Sequence, residues 1–242
     1  MMVLQELNVT IPSSKFTIIM GPVASGKSTF CKALVGDVPF STGSIAITRR
    51  KAAIGYCPQP PYLSNGTIKT NIIGYSEFEQ ERYDEVLGAC NSLNDILFLP
   101  LGDDTVVSSN GIALSRGQRQ RIALARALYS DCDLLILDDV FNGLNPGTAA
   151  QILDSVLGPE RLAHQRDITT VLSTHISQYI LRADYVIILG SNGKIIQQGH
   201  PSEISLETRK TRTFAVLSKA TEAIKALNNQ AENSATPIGD RL

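Results

Sequence analysis

The sequence predicts an α/β domain organised around a parallel sheet, and two observations carry that reading. Short apolar, β-branched runs recur at residues 16–20, 54–57, 134–137, 169–173 and 185–189, with helical stretches between them. The residues that follow these runs are chemically distinctive: Gly21, Gln59, Asp138 and His175. Ligands of open parallel sheets sit outside the carboxyl ends of the strands, so those four positions are where chemistry is expected.

The chain has 242 residues, 43% of them hydrophobic, which suffices for one core with an attached subdomain. Its formal charge of −1 and pI near 6.3 give no electrostatic case for nucleic acid or an anionic membrane surface, so any phosphate site must be local. Cys31, Cys57, Cys90 and Cys132 form no CxxC pair and have no His at metal-ligand spacing, which reads as a reducing, cytosolic setting. No window approaches the apolar length of a membrane span, and MMVLQELNV lacks the marks of a signal peptide.

The first run leads directly into GPVASGKST, residues 21–29, which fits G-x-x-x-x-G-K-[ST] between a strand and a helix. Such a loop, formed here by Gly21, Pro22, Val23, Ala24, Ser25 and Gly26, turns successive backbone N–H groups inward, and the next helix adds its positive end. Gly21 and Gly26 permit close approach. Lys27 is placed to reach the β- and γ-phosphates, Ser28 to ligate Mg²⁺, and Thr29 to hold the inner phosphates with the loop amides. The loop therefore calls for a nucleoside triphosphate with Mg²⁺.

From about 61 to 130 the pattern turns to polar helix and loop, read as an α-helical subdomain inserted into the sheet domain. Its strongest helix is 115–129, SRGQRQRIALARALY, with Ile122, Leu124, Ala125 and Leu128 on the apolar face and Arg116, Arg119, Arg121 and Arg126 elsewhere. The run LLILDD closes on Asp138 and Asp139. Asp138 suits a water-mediated metal partner for the ion held by Ser28. Near the end, VIILGSNGKIIQQG places Asn192-Gly193 between two strands and predicts a type I′ hairpin. The core is complete after Gly199. Residues 213–230 read as a weakly amphipathic helix, and the polar AENSATPIGDRL as disordered. The expected division is a nucleotide-binding domain over 1–204 and a linker or tail over 205–242, without internal repeats.

LSRGQRQRIALARAL at 114–128 resembles the signature segment of the ATP-binding cassette (ABC) proteins. The phosphate loop, CPQP around Gln59, LLILDD and STH at 173–175 stand in the order of that family. GPVASGKST, YCPQPPYLSNGTIKTNI and the aspartate pair followed by a G-L turn resemble the C subfamily, the multidrug-resistance-associated exporters, in the first of their two nucleotide-binding domains. The resemblance covers about residues 3–200. It implies a P-loop NTPase cassette with a RecA-like sheet core, a small antiparallel β part that is truncated here, and the inserted helical subdomain.

The resemblance also implies roles. Gln59 contacts metal and attacking water and couples to a membrane domain; Asp138 holds Mg²⁺ through water; His175 contacts the γ-phosphate of ATP. Ser115, Arg116, Gly117 and Gln118 serve the ATP bound by a second nucleotide-binding domain, in a head-to-tail dimer. Such a chain works at the cytoplasmic face of a membrane, as part of an integral transporter whose transmembrane domains lie elsewhere, with no nucleic-acid partner. ATP hydrolysis then drives export of an unknown substrate. A soluble cassette of DNA repair or translation is the third reading, disfavoured by the lack of a coiled-coil insertion or basic surface.

Four departures bear on catalysis. The family's water-polarising glutamate is Asp139 here, one methylene shorter, which predicts a slow site because a base must reach its proton within about 3 Å. Arg116 replaces a signature glycine. Asn145 stands where a carboxylate links the two active sites. The family stacks adenine on an upstream aromatic, and only Phe16 precedes Gly21, so weaker ATP binding and a truncated N-terminus are expected. Asp139 and Asn145 favour a second reading, a regulatory nucleotide-binding module with negligible catalysis.

Overall fold

A computed structural model of the chain describes residues 4–39, 42–107, 114–158 and 162–204. The helix expected at 213–230 and the tail at 205–242 lie outside those residues.

All five apolar runs form strands. They are β1 (Phe16–Met20), β2 (Ala53–Cys57), β5 (Cys132–Asp138), β6 (Thr169–Thr174) and β7 (Tyr185–Leu189), joined by β8 (Ile195–Gly199) in a six-stranded sheet of order β2-β5-β6-β1-β7-β8. The pairs from β2 to β7 are parallel, and β8 adds an antiparallel edge. Every residue of β1 and β5 is buried, because strands covered on both faces have no solvent side on which to alternate.

Side chains from alternate positions enter two separate cores. Ile18, Leu135, Leu137, Leu172 and Val186 point to one face, where they meet α5 (Arg116–Tyr129) and α6 (Pro146–Leu157). Ile19, Ile136, Val171 and Ile187 point to the other, against Phe30 and Cys31 of α1 (Lys27–Leu34). The short α7 (Leu162–Gln165) precedes β6.

The helical region holds α2 (Ile68–Ile73), α3 (Gln80–Ala89), α4 (Leu93–Leu97) and α5, with a two-residue antiparallel pair, β3 (Gly66–Thr67) on β4 (Val106–Val107). Ser115 caps α5 through a capping box: its side chain accepts from Gln118 N–H while Gln118 Oε1 accepts from Ser115 N–H. The predicted apolar face of α5 is buried. Two of its arginines are tucked between helices rather than solvated. Arg121 pairs with Asp95, and Arg126 donates to the Asn71 carbonyl and Oδ1, each at 2.7 Å, and to the Tyr62 carbonyl at 3.0 Å.

The hairpin between β7 and β8 forms, but its turn is not type I′. Gly193 takes φ +73° while Asn192 does not enter the positive region, and Gly193 N–H bonds back to the Gly190 carbonyl at 3.1 Å. This is a type I turn through Ser191 and Asn192 closed by a left-handed glycine, with the register shift of a bulge at Ile188 and Leu189. The glycine is used one place later than a type I′ turn requires.

Antiparallel pairing among the described residues is confined to β3–β4 and β7–β8. Residues 4–12 and 42–50 carry alternating apolar side chains but no strand ladder. Leu7, Val9, Ile11, Ile45 and Ile47 instead line, with Phe30 and Leu34, a half-open cavity of about 620 Å³. No helix of the described residues is long and apolar enough to cross a membrane.

Replacing Arg126 with Met keeps the stem and removes three donated hydrogen bonds, taking the arginine's donors from the Asn71 and Tyr62 carbonyls while Asn71 Oδ1 keeps Ser64. Urea denaturation is expected to show a loss of roughly 2 kcal/mol, the range for a half-buried charged donor. An unchanged midpoint would mean that the arginine does not tie the helices together.

Candidate nucleotide site

The sheet brings the predicted positions to one edge. Met20 lies opposite Thr174, Asp138 opposite Ser173, and Cys57 opposite Leu137, so Gly21, His175, Asp138, Asp139 and Gln59 all leave the sheet on the same side. Gln59 is half-buried, two residues past β2.

The loop 21–26 wraps the start of α1. Gly21 is required by close approach: a Cβ there would lie 2.5 Å from Ser25 Oγ and 2.7 Å from the Leu189 carbonyl. Gly26 N-caps α1 with no side-chain cap, so the first-turn amides of Lys27, Ser28 and Thr29 have no side-chain acceptor. That is the arrangement in which a helix start receives phosphate oxygens. Pro22 is half-buried, Val23 and Ala24 are exposed at the loop tip, and Ser25 is buried. Lys27 Nζ donates to the carbonyls of Gly21 (2.9 Å) and Pro22 (2.8 Å). Burial lowers its ammonium's pKa, and the carboxylates of Asp139 and Asp138 oppose that shift.

Asp138 ends β5 and is 1% exposed. Its Oδ1 accepts from Ser28 Oγ at 3.0 Å and from Ser173 Oγ at 2.5 Å. A buried carboxylate needs such donors. The next residue turns sharply. Asp139 takes φ +48°, in the left-handed region that Asp and Asn tolerate better than most residues. Its N–H donates to the Ser173 carbonyl at 3.0 Å. Asp139 Oδ2 accepts from Asn142 Nδ2 at 3.0 Å, and His175 Nδ1 stands 3.2 Å from Oδ1. His175 is the exposed member, with 52% of its side chain accessible against 14% for Asp139.

Ser115 and Arg116 are exposed and Gly117 and Gln118 half-buried at the start of α5. Asn145 caps α6, its Oδ1 accepting from Thr148 N–H at 2.7 Å. Asn is as good a cap as Asp, so losing the carboxylate costs the helix nothing.

Residues 4–142 match the ABC transporter family, a span that includes the loop, Gln59, the start of α5 and both aspartates. The chain belongs to the ABC transporter family. It is 48% identical to ABC transporter FGM5 of Gibberella zeae, over 82% of this chain and 14% of that protein. It is 42% identical to ABC-type transporter braE of Annulohypoxylon truncatum, over 97% of this chain and 16% of the other. With ABC multidrug transporter B of Aspergillus fumigatus it shares 40% identity, over 81% and 13%. The chain thus spans a small fraction of the transporters it matches. Its ABC fold is the nucleotide-binding cassette.

The residues present fit Mg-ATP. Uncapped amides and Lys27 face the loop, and the Ser28–Asp138 pair supplies a hydroxyl and a carboxylate. Among the described residues no group of three or more His, Cys, Asp or Glu could hold a metal alone. Mg²⁺ with one or two protein oxygens and phosphate oxygens needs no such cage. Two residues of this ABC site escaped the sequence reading: Ser173, which shares Asp138 with Ser28, and Asn142, which holds Asp139. The only signals were a serine before T-H and an asparagine three places after the acid.

Cys31 lies behind the loop on α1, fully buried. Burial first, then the Asp138 carboxylate, raises its thiol from 9.0 to about 12; burial does the same for Cys57. Such thiols stay protonated while the unfolded chain ionises above pH 9. The stability they contribute is whole below pH 9 and is lost as pH climbs from 9 towards 12. Iodoacetamide at pH 8 is expected to label neither Cys31 nor Cys57 in the folded chain and both in urea, read by mass spectrometry. Rapid native labelling of either would contradict the packing behind the loop.

Proposed function

We propose that the chain is the first nucleotide-binding domain of a C-subfamily ABC transporter, occupying 1–204 with 205–242 as a linker. It binds Mg-ATP at its own loop and pairs head to tail with a second nucleotide-binding domain. Together they power export of a substrate through transmembrane domains, at the cytoplasmic face of a membrane. The observation that carries this reading is the Ser28 Oγ to Asp138 Oδ1 bond beneath the uncapped start of α1. Its relatives named above are all transporters, which supports the export role.

In this reading Lys27 leaves the Gly21 and Pro22 carbonyls for the β- and γ-phosphates, and the amides from Val23 to Thr29 hold the phosphate chain. Ser28, Asp138 and Gln59 would hold Mg²⁺, which would supply positive charge to the phosphates. Asp139 orients the attacking water and His175 meets the γ-phosphate. Ser115, Arg116, Gly117 and Gln118 complete the site on the partner domain.

Hydrolysis at this site is slow on the same reading. Asp139 is one methylene short, and both its oxygens have partners within the chain, Asn142 and His175. That engagement also favours the second reading, a regulatory module in which bound ATP holds the dimer closed with negligible turnover. Hydrolysis measured with a competent partner domain separates the two.

Phe16 is 6% exposed inside β1, so its ring is not presented as a platform for adenine. Calorimetric titration of the chain with Mg-ATP, with Lys27→Ala as the blank, tests the site. Binding in the micromolar range, abolished in the variant, is the expected result. No heat up to millimolar Mg-ATP would overturn the assignment.

A further inference from the structure

Arg116 opens α5, and its side chain runs over Gly143, in the turn that follows the two aspartates. A Cβ on Gly143 would lie 2.9 Å from Arg116 Nε and 3.2 Å from its Cδ and Cζ, so the contact exists only because residue 143 has no side chain. Gly143 also holds φ at +94°, where side chains are strained. One residue along each segment the approach repeats: Leu144 Cδ2 lies 3.4 Å from where a Cβ on Gly117 would be. The start of α5 therefore rests on this turn at two successive points.

The turn is what grips Asp139. Asn142 donates twice, from Nδ2 to Asp139 Oδ2 and from its N–H to the Asp139 carbonyl, both at 3.0 Å. Leu144 N–H bonds to the Phe141 carbonyl at 3.3 Å. Phe141, 3% exposed, meets the Tyr179 ring edge-on at 5.4 Å and closes the inner side of the turn. On the side facing α5, Arg116 lies over Gly143 and Leu144 lies against Gly117.

We infer that Arg116 is a positioning residue for Asp139, joining the start of α5 to the acid turn within one chain. Displacement of the signature segment then reaches the Asp139–His175 pair through packed atoms rather than through nucleotide. The sign of its effect on hydrolysis rests on the role proposed above for Asp139; the mechanical link does not. An arginine that was merely solvated would leave the turn indifferent to its removal.

The test is amide hydrogen exchange by NMR on the whole chain without nucleotide, in Arg116→Ala, Arg116→Lys and Gly143→Ala. In Arg116→Ala the amides of Asp139 and Asn142 are expected to exchange about fivefold faster or more, as for a local opening, while Leu135 in β5 and the thermal midpoint stay unchanged. Arg116→Lys carries an aliphatic stem over Gly143 and restores the slow rates. Gly143→Ala puts a methyl group into the arginine and reproduces the acceleration. Equal rates in Arg116→Ala and wild type would overturn the inference, as would failure of Lys to rescue or acceleration spread across β5. Because no ATP is used, loss of this result and loss of the Mg-ATP site are separate outcomes.

Discussion

A carboxylate buried at the end of a central strand organises the molecule. Asp138 is 1% exposed and receives the hydroxyls of Ser28 and Ser173, one from the start of α1 and one from the end of β6. An ionised group at that depth is tolerable only with such donors, and removing one partner of a buried charge is far costlier than the bond itself is worth. The strand order that places β6 between β5 and β1 makes the arrangement possible. The phosphate loop, the acid and the histidine are then neighbours because their strands are.

The adjacent acid has a different situation. Asp138 faces inward from the last residue of β5, whereas Asp139 sits in left-handed backbone that sends its side chain toward Asn142 and His175. Two carboxylates one residue apart thus hold separate surroundings, one buried on hydroxyls and one poised at the surface of the site beside a half-exposed imidazole. In the proposed function that difference separates holding the metal from orienting water. In that proposal the engagement of the carboxylate within its own chain favours slow turnover beyond the missing methylene.

Much of this was legible in the sequence. Strands buried on both faces read as unbroken apolar runs, so 16–20 and 134–137 were found without reference to neighbours, and GPVASGKST carries its loop geometry in its glycines. What escaped depends on approach between distant segments. Ser173 matters only because β6 lies beside β5, and Gly143 only because Arg116 crosses it. The type I′ expectation at Asn192-Gly193 fails because the dipeptide serves two hairpin geometries, and the partners of Arg121 and Arg126 lie on segments distant in sequence. Alternation at 4–12 and 42–50 looks like strand, yet those segments line a cavity without pairing.

The most direct measurement is single-turnover hydrolysis of Mg-ATP by the chain assembled with a competent second nucleotide-binding domain, comparing wild type with Asp139→Glu. The account predicts that restoring the methylene raises the rate at this site about tenfold or more, close to 1.4 kcal/mol of barrier, with nucleotide affinity unchanged. Equal rates in the two proteins would contradict it, and would mean that Asp139 does not limit the chemistry.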